Sequence, residues 1–289
     1  MSYQSVFRPG VFGDQTIIVT GGGSGIGRCT AHELASLGAH VALVGRNPDK
    51  LEVVRAEIVE DGGSVSVHPC DIREEAMVGQ TIADVLQQRG RIDGLVNNAG
   101  GQYRTAMKTI STKGFEAVVR NNLTGGFIFM REAYTRWMED HGGAIVNIIA
   151  DIWGGWPDYA HSAAARGGMF TLSETAACEW AASGVRVNTV APGGIASSGF
   201  DTYTPEAKAK ILEYPPTVPL QRYGSEAELS AAIVFLLSPA AAYITGSCIR
   251  VDGGTPNARG TWKLESSTRS QPFQGFHRAQ LPELLTKGL

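Results

Sequence analysis

The chain has 289 residues, of which 43% are hydrophobic and 18% charged, with 36 glycines and a formal charge of -3. This is a globular composition, long enough to bury a sizeable core, and it excludes a disordered chain. There is no basic excess and no Lys/Arg-rich run, so the electrostatic footprint of a nucleic-acid binder is missing.

The N-terminal "MSYQSVFRPGVFGDQ" lacks the charged start and apolar stretch of a signal peptide, and no apolar run is long enough to span a bilayer. The expectation is a cytoplasmic protein without a membrane segment. From residue 15 onward, short β-branched runs alternate with stretches of helical spacing. Strands are predicted at 15–20, 40–45, 64–69, 94–98, 144–149, 185–191 and 247–251, and helices at 25–37, 48–61, 74–89, 114–138, 162–183 and 226–237. The strands carry apolar residues on both faces, as buried parallel strands do. The predicted fold class is α/β: a single Rossmann-type doubly wound parallel sheet with helices on both faces, over residues 1–254.

The segment 197–223 interrupts the alternation and is predicted to lie above the C-terminal ends of the strands, the edge where open α/β sheets bind ligands. After Gly254 the alternation stops. The tail 255–289 carries scattered Trp262, Phe273, Phe276, Leu281 and Leu284, which suggest packing on its own domain or on a neighbouring subunit. Its last residues, "TKGL", place lysine one position too early for a peroxisomal address. Cys29, Cys70, Cys178 and Cys248 show no metal-ligand spacing, so free thiols and no metal are expected.

The first strand runs directly into "TGGGSGIGR" and the first helix. Gly21, Gly25 and Gly27 let the backbone turn sharply and approach a pyrophosphate, with the helix N-terminus aimed at its charge. The second strand ends in "LVGRN", where an acidic residue would bind the ribose hydroxyls of NAD. Arg46 stands there instead and favours the 2′-phosphate of NADP, though an arginine starting a helix also stands in solvent without such a partner. Arg28, just past the glycines, either adds charge to the same site or faces solvent.

"TGGGSGIG" (20–27), "CDI" (70–72), "NNAG" (97–100), "NNLTG" (121–125), "IVNI" (145–148), "GVRVNTVAPGGI" (184–195) and "VDGG" (251–254) together resemble the ordered motifs of the short-chain dehydrogenase/reductase family. The resemblance covers about residues 14 to 254. It implies an NADP(H) site built from Gly21, Gly23, Ser24, Gly25, Ile26 and Gly27, with Asp71 and Ile72 at the adenine and Asn98, Ala99 and Gly100 along the cleft. Pro192, Gly193 and Ile195 would cap the nicotinamide, and Ser197 would touch the pyrophosphate. It also implies a homo-oligomer, commonly a homotetramer joined through helices 114–138 and 162–183.

The family's chemistry uses a serine, a tyrosine and a lysine at Tyr-x-x-x-Lys, with an asparagine further back. Aligned on "ETAACEW" (174–180) and "RVN" (186–188), this chain has Ala150 at the serine position, Ser162 at the tyrosine and Arg166 at the lysine, and it retains Asn122. No lysine occurs from Gly114 to Ala207, so a one-residue slip cannot restore the pair. Arginine holds fixed charge but is too basic to shuttle a proton, which suits stabilisation of an oxyanion or enolate.

"HSAAARGGM" most resembles the peroxisomal trans-2-enoyl-CoA reductases and, less closely, the 2,4-dienoyl-CoA reductases. The implied reaction is NADP(H)-dependent reduction of a double bond conjugated to a thioester, with Ser162 as donor supported by Arg166 and Asn122. Two alternatives stand beside it: an alcohol or aldehyde dehydrogenase for a branched or terpenoid substrate, and a catalytically silent NADP-binding sensor or scaffold. Tyr159 is either a substitute acid or a packing residue, and His161 a proton shuttle or a helix cap. Asp151 is a water-fed acid or a loop cap. Trp153, Trp156 and Tyr103 are expected to form apolar walls around a small-molecule substrate.

Overall fold

The computed structural model describes residues 2–197, 200 and 211–286. Seven strands form one parallel sheet: β1 Thr16–Thr20, β2 His40–Gly45, β3 Ser64–Pro69, β4 Gly94–Asn97, β5 Gly143–Ile148, β6 Val185–Pro192 and, after two shorter strands, β9 Cys248–Val251. Their order is β3-β2-β1-β4-β5-β6-β9, so the chain winds outward one way from β1, returns, and winds outward the other way from β4. The crevice at the switch point opens beyond the C-terminal ends of β1 and β4, as this topology requires.

The strands are buried because helices cover both faces. On one face, α1 (Gly25–Ser36), α2 (Pro48–Glu60) and α8 (Glu226–Leu237) pack Leu34, Leu51, Ile58, Leu229 and Ile233 onto Ile17, Val19, Leu43 and Val146. On the other, α3 (Glu75–Arg89), α5 (Gly125–Ala133) and α7 (Ala160–Glu179) pack Val78, Ile82, Phe129 and Met169 onto Ile18, Leu95, Ile145 and Val187. Successive residues of one strand therefore feed opposite cores, which is why neither face could be polar.

Local chemistry sets the helix starts. Asn47 accepts from the Lys50 amide with Pro48 at the first helical position of α2, and Ser225 and Glu228 form a reciprocal capping box on α8. Ser111 caps α4 (Thr112–Val119) by accepting from the Gly114 amide.

The predicted helix 114–138 is not regularly wound. A π-helical turn, Arg120–Thr124, separates α4 from α5, and a second, Tyr134–Met138, separates α5 from α6 (Glu139–His141). Each inserts one residue into the winding. The predicted helix 162–183 begins two residues earlier and ends at Glu179, followed by a 3₁₀ turn, Ala181–Ser183.

Two strands were not foreseen. β7 (Ile195–Ala196) pairs in parallel with β8 (Gly224–Ser225) and closes the base of the 197–223 segment. Of that segment, 198–199 and 201–210 lie outside the described residues, as do the last three residues of "TKGL".

The tail crosses back over α1 and α8. Phe276 is buried beside Tyr3, Cys29 and Ala227, with Phe273 packed against them. Ser225 donates to the Phe273 carbonyl, and Arg278 donates to both oxygens of Asp61 at the end of α2. The short helix α9 (Glu283–Thr286) follows. Trp262 and Leu281 stay exposed.

Candidate active site

The glycine turn is shaped as a backbone cradle. Gly21 has φ +67°, and a Cβ there would lie 2.8 Å from the Asn98 Nδ2 and 3.0 Å from the Ala99 Cα. A Cβ on Gly27 would run into the Gly21 carbonyl and the Asn98 amide, so no larger residue fits where strand and helix meet. Asn98 Nδ2 donates to the Thr20 carbonyl at 3.0 Å, and Thr20 Oγ1 accepts from the Asn98 and Ala99 amides, clasping the turn from beneath. Ser24 precedes α1 in an extended conformation, exposed and without a side-chain capping bond, so the first-turn amides of α1 are left for an anion. The free first-turn amides, and the tight turn that Gly21 and Gly27 allow beneath them, fit a dinucleotide pyrophosphate.

At the adenine end, Arg46 is exposed just beyond β2. Asp71 accepts a two-pronged interaction from Arg73, which with the nearby Arg46 charge holds its carboxyl down at about 2. Arg46 and Arg73 therefore bring two guanidinium groups to one carboxylate, leaving positive charge over. Ile72 points inward, packed against Gly125 of α5. Arg28 serves neither expected purpose. It donates to both oxygens of Glu57 at 2.8 and 2.7 Å and to the Arg278 carbonyl at 3.1 Å, under the Phe276 ring.

The crevice continues into a cleft of about 910 Å³. Its lining includes Ile26, Asn98 and Gly100, Ile148 at the end of β5 with Ala150 and Asp151 just beyond it, and Pro192 at the end of β6 with Gly193 and Ser197 just beyond it. Ile195 is buried against α8 and Gly224 rather than lining the cleft.

Arg166 projects from α7 to this lining. Its side chain is almost wholly buried and donates to the Ile148 carbonyl at 2.5 Å, and burial lowers its pKa to about 10, still well above neutrality. Asn122 sits in the first π-helical turn and does not line the cleft. Its Nδ2 donates to the Val118 and Gly101 carbonyls at 2.8 and 2.7 Å, and its Oδ1 accepts from the Gly101 amide at 3.1 Å. The extra residue of the π turn turns Asn122 out of register with α4 so that it fixes the Gly100–Gly101 loop.

Ser162 is fully buried, its Oγ has no partner among the described residues, and it is not among the residues lining the cleft. His161, equally buried, accepts from the Ser162 amide through Nδ1 and packs edge-on against Tyr103 at 4.6 Å. It stands inside α7 without capping it, and its Nε2 is buried with no partner among the described residues. Tyr159 does line the cleft, stacked on Trp156 at 4.8 Å. Trp153 instead packs outward, with the Arg250 guanidinium over its ring.

Several lining residues escaped sequence reasoning. Tyr214 accepts from the Gly194 amide through its hydroxyl and stacks on Tyr223, and with Phe200 and Ile211 these form an apolar wall. Their one signal was the position of the 197–223 segment. Arg104 and Asp158 form an ion pair at the mouth, with the Thr105 amide donating to the Asp158 carbonyl at 2.9 Å. Asp158 adopts φ +66°, a left-handed conformation that aspartate tolerates better than most residues.

The family model described as Enoyl-(Acyl carrier protein) reductase matches residues 21–256. The chain belongs to the short-chain dehydrogenase/reductase family. Within that family, the chain is 36% identical over 243 residues to a probable 2,4-dienoyl-CoA reductase of Bacillus subtilis, covering 83% of this chain and 96% of the relative. Among solved structures it is similar to a citronellol catabolism dehydrogenase of Pseudomonas aeruginosa, with 57% identity, a TM-score of 0.80, and coverage of 88% of this chain and 100% of that one. Levodione reductase superposes with a TM-score of 0.81 at 31% identity, covering 86% of this chain and 100% of its own. The protein is therefore an oxidoreductase of this family, whose members use nicotinamide cofactors. No helix among the described residues is long and apolar enough to cross a membrane, and none of the described His, Cys, Asp and Glu residues form a group able to hold a metal ion.

Proposed function

We propose that the protein is an NADP(H)-dependent reductase acting on the conjugated double bond of an enoyl thioester. The observation that carries this reading is the buried guanidinium of Arg166 at the cleft floor, in a chain with serine where the family's tyrosine would stand. NADPH, when held there, would supply a hydride to the β carbon of the substrate, with negative charge developing on the thioester oxygen. Arg166 meets that charge with a fixed cation in a site of low dielectric, and its orientation is set beforehand by the Ile148 carbonyl. A cation that never gives up its proton serves an enolate, whereas an alkoxide needs a proton relay.

The remaining roles follow from position. Gly21, Gly23, Ser24, Gly25, Ile26 and Gly27, with Ser197, would hold the pyrophosphate, Asn98, Ala99 and Gly100 would line the cofactor cleft, and Pro192 and Gly193 would cap the nicotinamide. Arg46 takes the 2′-phosphate. Asn122 positions Arg166 through Gly100 and Gly101. Trp156, Tyr159, Tyr214 and Tyr223 exclude water from the acyl chain, whereas Ser162, buried and away from the cleft lining, is left without a donor's role. A cytoplasmic homo-oligomer belongs to the same reading, supported by the family and by four free cysteines.

A second reading is favoured by the 57% identity to the citronellol catabolism dehydrogenase and by the aromatic cleft: oxidation of a branched apolar alcohol with NADP. Absorbance of the cofactor separates the two. Consumption of NADPH with crotonyl-CoA or a longer enoyl-CoA supports the first reading. Turnover with alcohols and NADP alone replaces it by the second, and cofactor binding without turnover leaves a silent sensor.

A further inference from the structure

Reduction of a conjugated double bond needs a proton at the α carbon as well as a hydride at the β carbon, and Arg166 cannot deliver it. The titratable groups that line the cleft are few: Arg104 and Asp158, Asp151, Tyr159, Tyr214, Tyr223 and Arg166. Asp158 is bound to Arg104 at the mouth. The Tyr214 hydroxyl is engaged with the Gly194 amide and Thr255, and the Tyr223 hydroxyl donates to the Ile211 carbonyl.

Asp151 differs from these. It follows Ala150 directly at the end of β5, so it stands one residue beyond the position that carries the family's serine. Its Oδ1 is inaccessible to solvent and has no hydrogen-bond partner among the described residues, in a carboxyl whose residue lines the cleft. A charged carboxylate oxygen buried without a donor is costly, whereas the neutral, protonated carboxyl is much less costly to bury.

We infer that Asp151 is the general acid of the reaction. This rests on the reading of the site as an enoyl-thioester reductase. The Asp151 carboxyl gives up its proton, the electron pair left on the α carbon by hydride addition forms the new C–H bond, and the carboxylate is reprotonated by water from the open mouth.

The surroundings support an acid rather than an anion. Burial and the Asp252 carboxylate both push the Asp151 pKa up, against the Trp153 amide and the Arg250 guanidinium, which pull it down. Asp252 itself keeps a buried Oδ2 without a hydrogen bond, while its Oδ1 caps the Gly254 amide at 2.8 Å. Arg250 lies 3.7 Å from Asp252 but is turned toward the Trp153 ring, and so offsets only part of that charge. From α7, Arg166 is the charged group at the same floor.

Two substitutions test the assignment. Asp151→Asn should leave NADPH binding unchanged and lower kcat for enoyl-CoA at least 100-fold, while Asp252→Asn, which keeps the Gly254 cap, should retain activity and move the pH limb of kcat to lower pH. A ¹³C NMR titration of the Asp151 carboxyl in cofactor-free protein should show its midpoint above that of an exposed aspartate and falling in Asp252→Asn. Wild-type turnover with an Asp151→Asn rate within threefold and an unmoved pH limb overturns the inference alone. A wild-type enzyme inert toward every enoyl thioester overturns the underlying reading, whatever Asp151 does.

Discussion

Arg166 and Gly100 lie so close that a methyl group on the glycine would overlap the guanidinium Nη2, and the same methyl would stand 2.6 Å from the Asn122 Oδ1. One missing side chain therefore holds the cation and its positioning residue in register. Gly100→Ala should displace Arg166 by a fraction of an ångström to an ångström and lower kcat/KM about 100-fold. Stopped-flow reduction assays, run beside a thermal melt to show the fold is retained, measure it. An unchanged kcat/KM would mean that the guanidinium position does not matter.

Arg166→Lys restores the family's residue type but not its partner tyrosine. The shorter ammonium cannot both reach the Ile148 carbonyl and face the cleft, so that carbonyl loses a donor, at a cost of about 1–3 kcal/mol. The expected fall in kcat is about 100- to 1000-fold, the loss typical of a removed oxyanion donor. Lysine activity within threefold of wild type would show that positive charge suffices without the guanidinium's fixed geometry.

Arg46 decides between cofactors if the 2′-phosphate lies against it. Arg46→Ala should raise Kd for NADPH about tenfold or more, corresponding to about 1.4 kcal/mol, and leave Kd for NADH unchanged. Fluorescence titrations of both cofactors at one ionic strength give the ratio, because exposed charges are screened by salt. Equal losses for the two would move the phosphate elsewhere.

Glu226, at the start of α8, is 7% exposed, with no hydrogen bond or ion pair assigned to it among the described residues, and burial raises its pKa from 4.5 to about 7 although Arg28 opposes the shift. The neutral form is thus favoured by folding. Stability from this group is fully present below the unfolded value of 4.5 and is lost as pH rises through about 7. The loss is on the order of 3 kcal/mol. Glu226→Gln should flatten that dependence and raise the melting temperature at pH 8 relative to wild type, with little change at pH 4.5. Calorimetry at the two pH values checks it, and parallel wild-type and variant curves would refute it.

Much of the sheet was legible because strands buried on both faces leave continuous apolar runs, as "TIIV" and "HVALV" do, and because the glycines followed a strand and opened a helix. β7 and β8 were not legible, since two-residue strands carry no periodicity. Nor were the π-helical turns, whose one-residue insertions shift the apolar spacing without breaking it. In the site, Arg104 meets Asp158 from 54 positions away and Arg28 meets the tail from 250 away, contacts that only the assembled fold specifies. The motif alignment named Ser162 and Arg166 as one-turn neighbours on α7. It could not tell that the arginine reaches the cleft while the serine is sealed within, because depth is set by tertiary packing.

The π-helical turn Arg120–Thr124 has a consequence for how this chain can vary. Deleting one of its five residues would restore ordinary winding and leave Gly125 to His141 facing the sheet as before, because a π turn fits one extra residue into nearly the rotation that four α-helical residues make. Phe129 and Met130 would keep their places in the core, while the bond between Asn122 and Gly101 would be lost. Single-residue deletions here should therefore spare folding and cost the site its loop anchor.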